Sequence, residues 1–213
     1  MMEIVWLGHS CFRLRGRQTT VVTDPCPPST GYHLGRPTAQ IVTVSHRHED
    51  HSYVQGVAGN PKVLDAPGEY DIGGTFVTAV PTYHDGRKGA VRGPNLVFVL
   101  EMDGLTICHL GDLGHLPTPE QVELLSGVDV LFVPVGGHTT LDGAQAAEVV
   151  SLLEPKVVIP MHYRTPACRL SLDPLDRFLK ELDVDAVEPQ KRLSLTAGSL
   201  PETTEVVVLD YER

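Results

Sequence analysis

The chain has no apolar run near the ~20 residues that a membrane-spanning helix needs. It has no CxxC pair among its four cysteines and no cluster of lysine and arginine. Each absence removes a class of function. The lack of a long apolar run argues against a helical membrane protein. Cys11, Cys26, Cys108 and Cys168 are too widely spaced for a cysteine zinc site. They read as reduced, buried thiols of a cytoplasmic protein rather than as a disulfide frame. The net charge is −10 at pH 7. With no basic stripe to displace counterions, that balance argues against nucleic acid as a partner. Residues 1–18 carry no basic segment ahead of an apolar one, so they do not read as a signal peptide. No linker, low-complexity segment or short-period repeat interrupts the 213 residues. The expectation is one domain over 1–213, long enough to bury a core, with homo-oligomerisation left open.

What is present is a succession of short apolar runs bounded by Gly, Pro, Asp and Asn. Glu3–Leu7, Cys11–Leu14 and Thr19–Thr23 read as successive strands, with a hairpin turn at Arg15-Gly16-Arg17-Gln18. Ile41–Ser45 has the apolar, β-branched character of a strand buried on both faces. Phe76–Val80, Leu96–Glu101, Leu105–Leu110, Asp129–Val135 and Val157–Pro160 repeat the pattern. Helices are expected at Pro119–Leu125 after Thr118, at Gly143–Leu153 after Asp142, and at Pro174–Leu182. Strands dominate the first half and alternate with helices in the second, which predicts a layered α/β domain.

Ten histidines are a modest excess, and their placement matters more than their number. Ser45-His46-Arg47-His48-Glu49-Asp50-His51 follows the buried strand directly. Strand C-terminal ends are where α/β proteins place their sites. His46 and His48, two residues apart on extended chain, project from one side. Asp50 and His51 sit on the turn that follows. One short segment thus offers two imidazoles to one cation and a carboxylate plus an imidazole to a second. Nitrogen and oxygen donors without thiolate suit Zn, Mn or Fe.

His46-Arg47-His48-Glu49-Asp50-His51 resembles the HxHxDH signature of the metallo-β-lactamase superfamily. Asp24 in Val21-Val22-Thr23-Asp24-Pro25 matches the family's early aspartate that ends a strand beside the site, and His84 in Pro81-Thr82-Tyr83-His84-Asp85, Asp112 in His109-Leu110-Gly111-Asp112 and His162 in Ile159-Pro160-Met161-His162 match the later motifs in order. Trp6-Leu7-Gly8-His9-Ser10-Cys11-Phe12, Pro67-Gly68-Glu69-Tyr70-Asp71-Ile72-Gly73-Gly74 and Pro134-Val135-Gly136-Gly137-His138-Thr139 are similar to the small bacterial hydrolases related to L-ascorbate-6-phosphate lactonase. The resemblance implies an αβ/βα four-layer sandwich (metallo-β-lactamase fold). It also implies a metal-dependent hydrolase with two divalent ions, Zn or Mn first, with Fe and Ni also admissible. It assigns His46, His48 and His84 to one metal, Asp50, His51 and His162 to the other, and Asp112 to both. A metal-bridging hydroxide would then cleave a small ester, lactone or phosphodiester, with an anionic substrate allowed. The bridging aspartate argues against antibiotic hydrolysis.

Other residues carry two readings each. Asp50 could also orient the nucleophile. His9 is either a substrate contact or proton donor, or a hydrogen-bonded structural histidine. His138, on a Gly-Gly loop, is favoured as a substrate contact over an exposed loop residue. Asp24 reads as a brace for the His46–His51 segment. Arg164 reads as a surface salt-bridge partner, with an anion clamp as the alternative. His109 reads as a satisfied core histidine, and His33 as loop. The direction of His115 is not legible. Two rival functions compete: a mononuclear iron oxygenase on the same fold acting on a persulfide, and a metal-binding scaffold without turnover. The first would leave one ligand set incomplete, and both sets are complete here.

Overall fold

The computed structural model describes residues 1–212. The chain first lays down β1 (Met2–Gly8), β2 (Cys11–Arg15), β3 (Thr20–Thr23), β4 (Ile41–Thr43) and β5 (Lys62–Leu64). It then crosses to a second sheet through β6 (Gly68–Ile72), β7 (Thr75–Tyr83), β8 (Pro94–Met102) and β9 (Leu105–His109). After α1 (Pro119–Leu124) come β10 (Val130–Pro134), α2 (Gly143–Leu153), β11 (Val157–Met161) and α3 (Asp176–Glu181). β12 (Leu193–Leu195) returns to the first sheet and β13 (Glu205–Val206) closes the second. The sheet orders are β12-β1-β2-β3-β4-β5 and β13-β11-β10-β9-β8-β7-β6.

Each sheet has an antiparallel meander that turns parallel. β1, β2 and β3 pair antiparallel, then β3–β4 and β4–β5 pair parallel. β6 to β9 pair antiparallel, then β9–β10 and β10–β11 pair parallel. Two similar halves are therefore visible in topology, although no internal repeat is visible in the sequence. The parallel strands β4, β10 and β11 are buried along their whole length, as strands covered on both faces must be. β7 alternates buried and exposed residues at its start, because its other face meets solvent.

The two sheets bury one apolar layer between them. Phe12 of β2 meets Phe132 of β10 with ring centroids 4.3 Å apart, and Trp6, Phe98 and Ile107 join the same cluster. The second sheet is covered by α2, whose Ala146, Val149, Val150 and Leu153 are buried. Asp142 caps that helix by accepting from the Gln145 amide. The outer face of the first sheet is covered by loops and short 3-10 turns, with Cys26, Tyr32, Leu34 and Val57 buried against Leu7 and Val42. The helix expected over Pro174–Leu182 contracts to Asp176–Glu181, with no side chain capping its start. No helix among the described residues is long and apolar enough to cross a membrane.

The inter-sheet contact predicts the energetics. Phe132→Ala removes a fully buried ring and should cost about 3–5 kcal/mol in urea denaturation. A loss below about 1 kcal/mol would mean that the sheets do not depend on this layer.

Candidate metal centre

Five strand ends deliver the site. Asp24 follows β3, the 45–51 segment follows β4, His84 follows β7, Asp112 lies three residues beyond β9, and His162 follows β11. The parallel strands thus open toward one crevice, the usual position of a site in such sheets. The two sheets are stitched together there. The Leu96 amide donates to Ser45 O at 2.8 Å and the His162 amide to His9 O at 3.2 Å. Three site residues hold left-handed backbone: His9 (φ 56), Asp24 (φ 35) and His162 (φ 53). Each such non-glycine conformation costs about 1–3 kcal/mol and persists only where surroundings impose it.

The centre of the arrangement is one oxygen. Asp112 Oδ2 lies 3.2 Å from Nε2 of His51, 3.3 Å from those of His84 and His162, and 3.9 Å from that of His46. Donor atoms of His46, His48 and His84 lie within 4.8 Å of one another, and so do those of His9, Asp50, His51 and His162. The structure therefore gathers all seven residues matched to the metal motifs, and adds His9 to them.

Hydrogen bonds decide which ring nitrogens are available. Ser45 Oγ donates to Asp24 Oδ2 at 2.5 Å and so accepts from His46 Nδ1 at 2.9 Å. The His51 Nδ1 donates to the same Asp24 oxygen at 2.9 Å. Asp24 Oδ1 takes the Ser45 amide at 2.8 Å. One buried carboxylate therefore turns the Nε2 atoms of two imidazoles toward Asp112. Burial works against the Asp24 charge, but the hydrogen bond from His51 and the neighbouring His109 hold its carboxyl below the ordinary value.

The donor set fits divalent cations. His46 Nε2 and Asp112 Oδ1 are buried with no hydrogen-bond partner in the protein, a costly state for polar atoms that nothing satisfies. Burial opposes the Asp112 charge, yet His162 and His51 hold its carboxyl far below the ordinary range. Burial pulls His51 down, but Asp112 and Asp24 more than reverse this and raise it well above 6.5. Burial and the neighbouring His51 push His46 down to about 3. Burial and His162 push His9 down to about 4. Cations of borderline softness accept this mixture of imidazole and carboxylate.

Asp112 itself is placed by a residue that sequence reasoning missed. Asn95 Oδ1 accepts the Asp112 amide at 2.9 Å, while Asn95 Nδ2 donates to Leu110 O at 3.0 Å and Thr82 Oγ1 at 2.8 Å. An amide side chain heading the apolar run Leu96–Glu101 was the available signal, since buried Asn must find partners. Gly111 (φ 57) leaves room for this: a Cβ there would come within 2.5 Å of Asn95 Oδ1 and Ser45 Cβ.

The remaining candidates fall elsewhere. His9 is the exception, fully buried within the second donor set. His138 stays outside both donor sets, exposed, with Nε2 3.5 Å from Asp173 Oδ1. Asp173 is also held by Arg177 at 2.7 Å. Arg164, expected in a surface salt bridge, forms none among the described residues; its amide donates to Asp173 O at 2.9 Å. His109 is satisfied, bonding to Ser10 O at 2.9 Å and accepting from the Gly111 amide at 3.2 Å. His115 braces the end of β7 by accepting the Tyr83 amide at 3.3 Å. His33 is an exposed loop residue.

Residues 3–162 match a family model described as a β-lactamase superfamily domain. A crystal structure from Thermotoga maritima, titled as a candidate zinc-dependent hydrolase of the metallo-β-lactamase superfamily, is 42% identical with a TM-score of 0.83 and covers 100% of both chains. A UPF0173 metal-dependent hydrolase of Methanoculleus marisnigri is 32% identical over 84% of this chain and 89% of its own length. A UPF0173 protein of Pyrococcus furiosus is 30% identical over 85% of this chain and 90% of its own. The chain belongs to the metallo-β-lactamase superfamily, among the UPF0173 metal-dependent hydrolases.

Two outcomes follow. Asp24→Asn should weaken metal binding about 10–100-fold by titration, since it frees the orientation of His46 and His51. Unchanged affinity would show that their Nε2 atoms are held by other means. In the metal-free protein burial pulls the His51 pKa down, but the Asp112 and Asp24 carboxylates more than reverse this and hold it well above the ordinary imidazole value. A cation must then compete with a proton for the His51 nitrogen, so metal affinity should fall as pH falls. Metal titration over a range of pH measures this, and an affinity that does not change with pH would contradict it.

Proposed function

We propose that the protein is a dinuclear metal-dependent hydrolase of small ester, lactone or phosphodiester substrates. The observation that carries this reading is the position of Asp112 Oδ2, within 3.2–3.9 Å of four imidazole nitrogens that belong to two donor sets. His46, His48 and His84 would hold one cation, Asp50, His51 and His162 the other, with Asp112 shared. Zn and Mn suit the donors best, and Fe and Ni are admissible. When bound, such a pair supplies a water that ionises near neutral pH and Lewis acidity toward the scissile group.

The chain's own residues do the rest. Asp50 Oδ2 can accept a proton from an attacking water, since its carboxylate is held ionised. Burial raises its pKa, and the bond from His9 and the charge of His51 more than offset this. Asp24, through Ser45 and His51, keeps the imidazoles turned inward. The loop after His84 supports an anionic substrate. Asp85 accepts the amides of Arg87, Gly89, Val91 and Arg92 at 2.7–3.0 Å. That fixed loop carries Arg87, Lys88 and Arg92, none of them in an ion pair among the described residues. The overall charge of −10 supports a small molecule rather than nucleic acid, and four free cysteines support a reducing, cytoplasmic setting.

The test is elemental mass spectrometry of the purified protein, joined to assays on bis-p-nitrophenyl phosphate and a simple lactone. About two metals per chain and chelator-sensitive cleavage are expected. A single tightly held iron without hydrolysis would favour the oxygenase. Metal without turnover of either substrate would favour the scaffold.

A further inference from the structure

We infer that His9 is a metal ligand, completing the second donor set rather than touching substrate or merely bracing a neighbour. The inference rests on the two-cation reading above. His9 Nε2 lies 3.2 Å from Asp50 Oδ2 and 3.2 Å from His51 Nε2. Adjacent ligand atoms on one zinc with bonds near 2.0–2.1 Å stand about 2.9–3.4 Å apart for four- or five-coordinate centres. The spacing is that of donors sharing one centre. His51 Nδ1 is committed to Asp24, so only its Nε2 can face a cation, and His9 Nε2 faces the same point.

The protein partners of the ring, Asp50 and His51, belong to the same donor set. His9 Nδ1 has no hydrogen-bond partner, a state it shares with His84 and His162. Its ring centroid lies 4.8 Å from that of His51 and 4.3 Å from that of His162. Three imidazoles crowded at this range, with no solvent reaching His9, lack a common partner unless a cation supplies one. The backbone is shaped to put the ring there. Residue 9 adopts φ 56 in the turn between β1 and β2. Its carbonyl is pinned by Trp6 Nε1 at 2.9 Å and by the His162 amide at 3.2 Å. The N-terminal turn is thereby tied to the strand end that carries another ligand.

This assignment makes the two sets unequal. The second would draw on His9, Asp50, His51 and His162 together with Asp112, while the first has His46, His48 and His84 with the shared Asp112. A set closed by protein donors holds its ion and leaves little room for exchange. The first set, whose His48 is exposed, would keep the open position that substrate needs.

The test is the structure of the zinc-loaded full chain with anomalous scattering at the zinc edge, paired with zinc titration of His9→Ala. An ion about 2.0–2.1 Å from His9 Nε2 is expected. The variant should bind its second zinc at least about tenfold more weakly while the first stays tight. Ions in both sets, with His9 Nε2 beyond bonding distance and hydrogen-bonded to Asp50, would overturn the assignment and leave the two-cation reading intact. No ion in either set would overturn both. If His9→Ala does not fold, the wild-type zinc structure decides alone.

Discussion

A carboxylate buried among imidazoles sets the terms for the rest of the molecule. Asp112 is 2% exposed, and its charge would be expensive in an apolar interior without compensation. The compensation comes from four histidines on three separate segments, the 45–51 stretch of the first sheet and the ends of β7 and β11 in the second, so the carboxylate has meaning only when both sheets are in place. The interior layer of Trp6, Phe12, Phe98 and Phe132 brings the sheets together. The polar end of the same interface then assembles the site. Packing and chemistry are thus two ends of one contact surface.

Around this centre, hydrogen bonds remove the freedom that would blur it. Asp24 reads as the most economical element: one carboxylate orients His51 directly and His46 through the Ser45 hydroxyl. Asn95 plays the matching part for Asp112 from the opposite sheet. Left-handed non-glycine backbone occurs elsewhere in turns as well, but at the site His9, Asp24 and His162 adopt it beside the tight seat of Gly111. Gly136 belongs with them, since a Cβ there would meet the His162 carbonyl oxygen at 2.0 Å. A strand end that carries a ligand leaves its neighbours little room to vary.

Much of this was legible in sequence, for identifiable reasons. The buried strand before His46 has an uninterrupted β-branched pattern, and the ligand spacing after it depends only on local extended geometry. Parallel strands such as β10 and β11 read well because burial on both faces leaves an unbroken apolar run. The short edge strands β5, β6, β12 and β13 did not, since part-exposed edges carry weak patterns. Asn95, Ser45 and His9 were hidden for another reason. Their roles depend on which atom meets which across the two sheets, and no periodicity along the chain encodes that. The pairing of His138 with Asp173 was hidden for the same cause, since a Gly-Gly loop after a strand does not tell which side chain its neighbour will meet.

The claim that Asp112 joins two cations is tested most directly by X-ray absorption spectroscopy of the zinc-loaded protein. The account predicts a metal–metal scattering path at about 3.5–4 Å, beside imidazole and carboxylate ligation. Zinc ligation without any such path would mean isolated ions, and would contradict it.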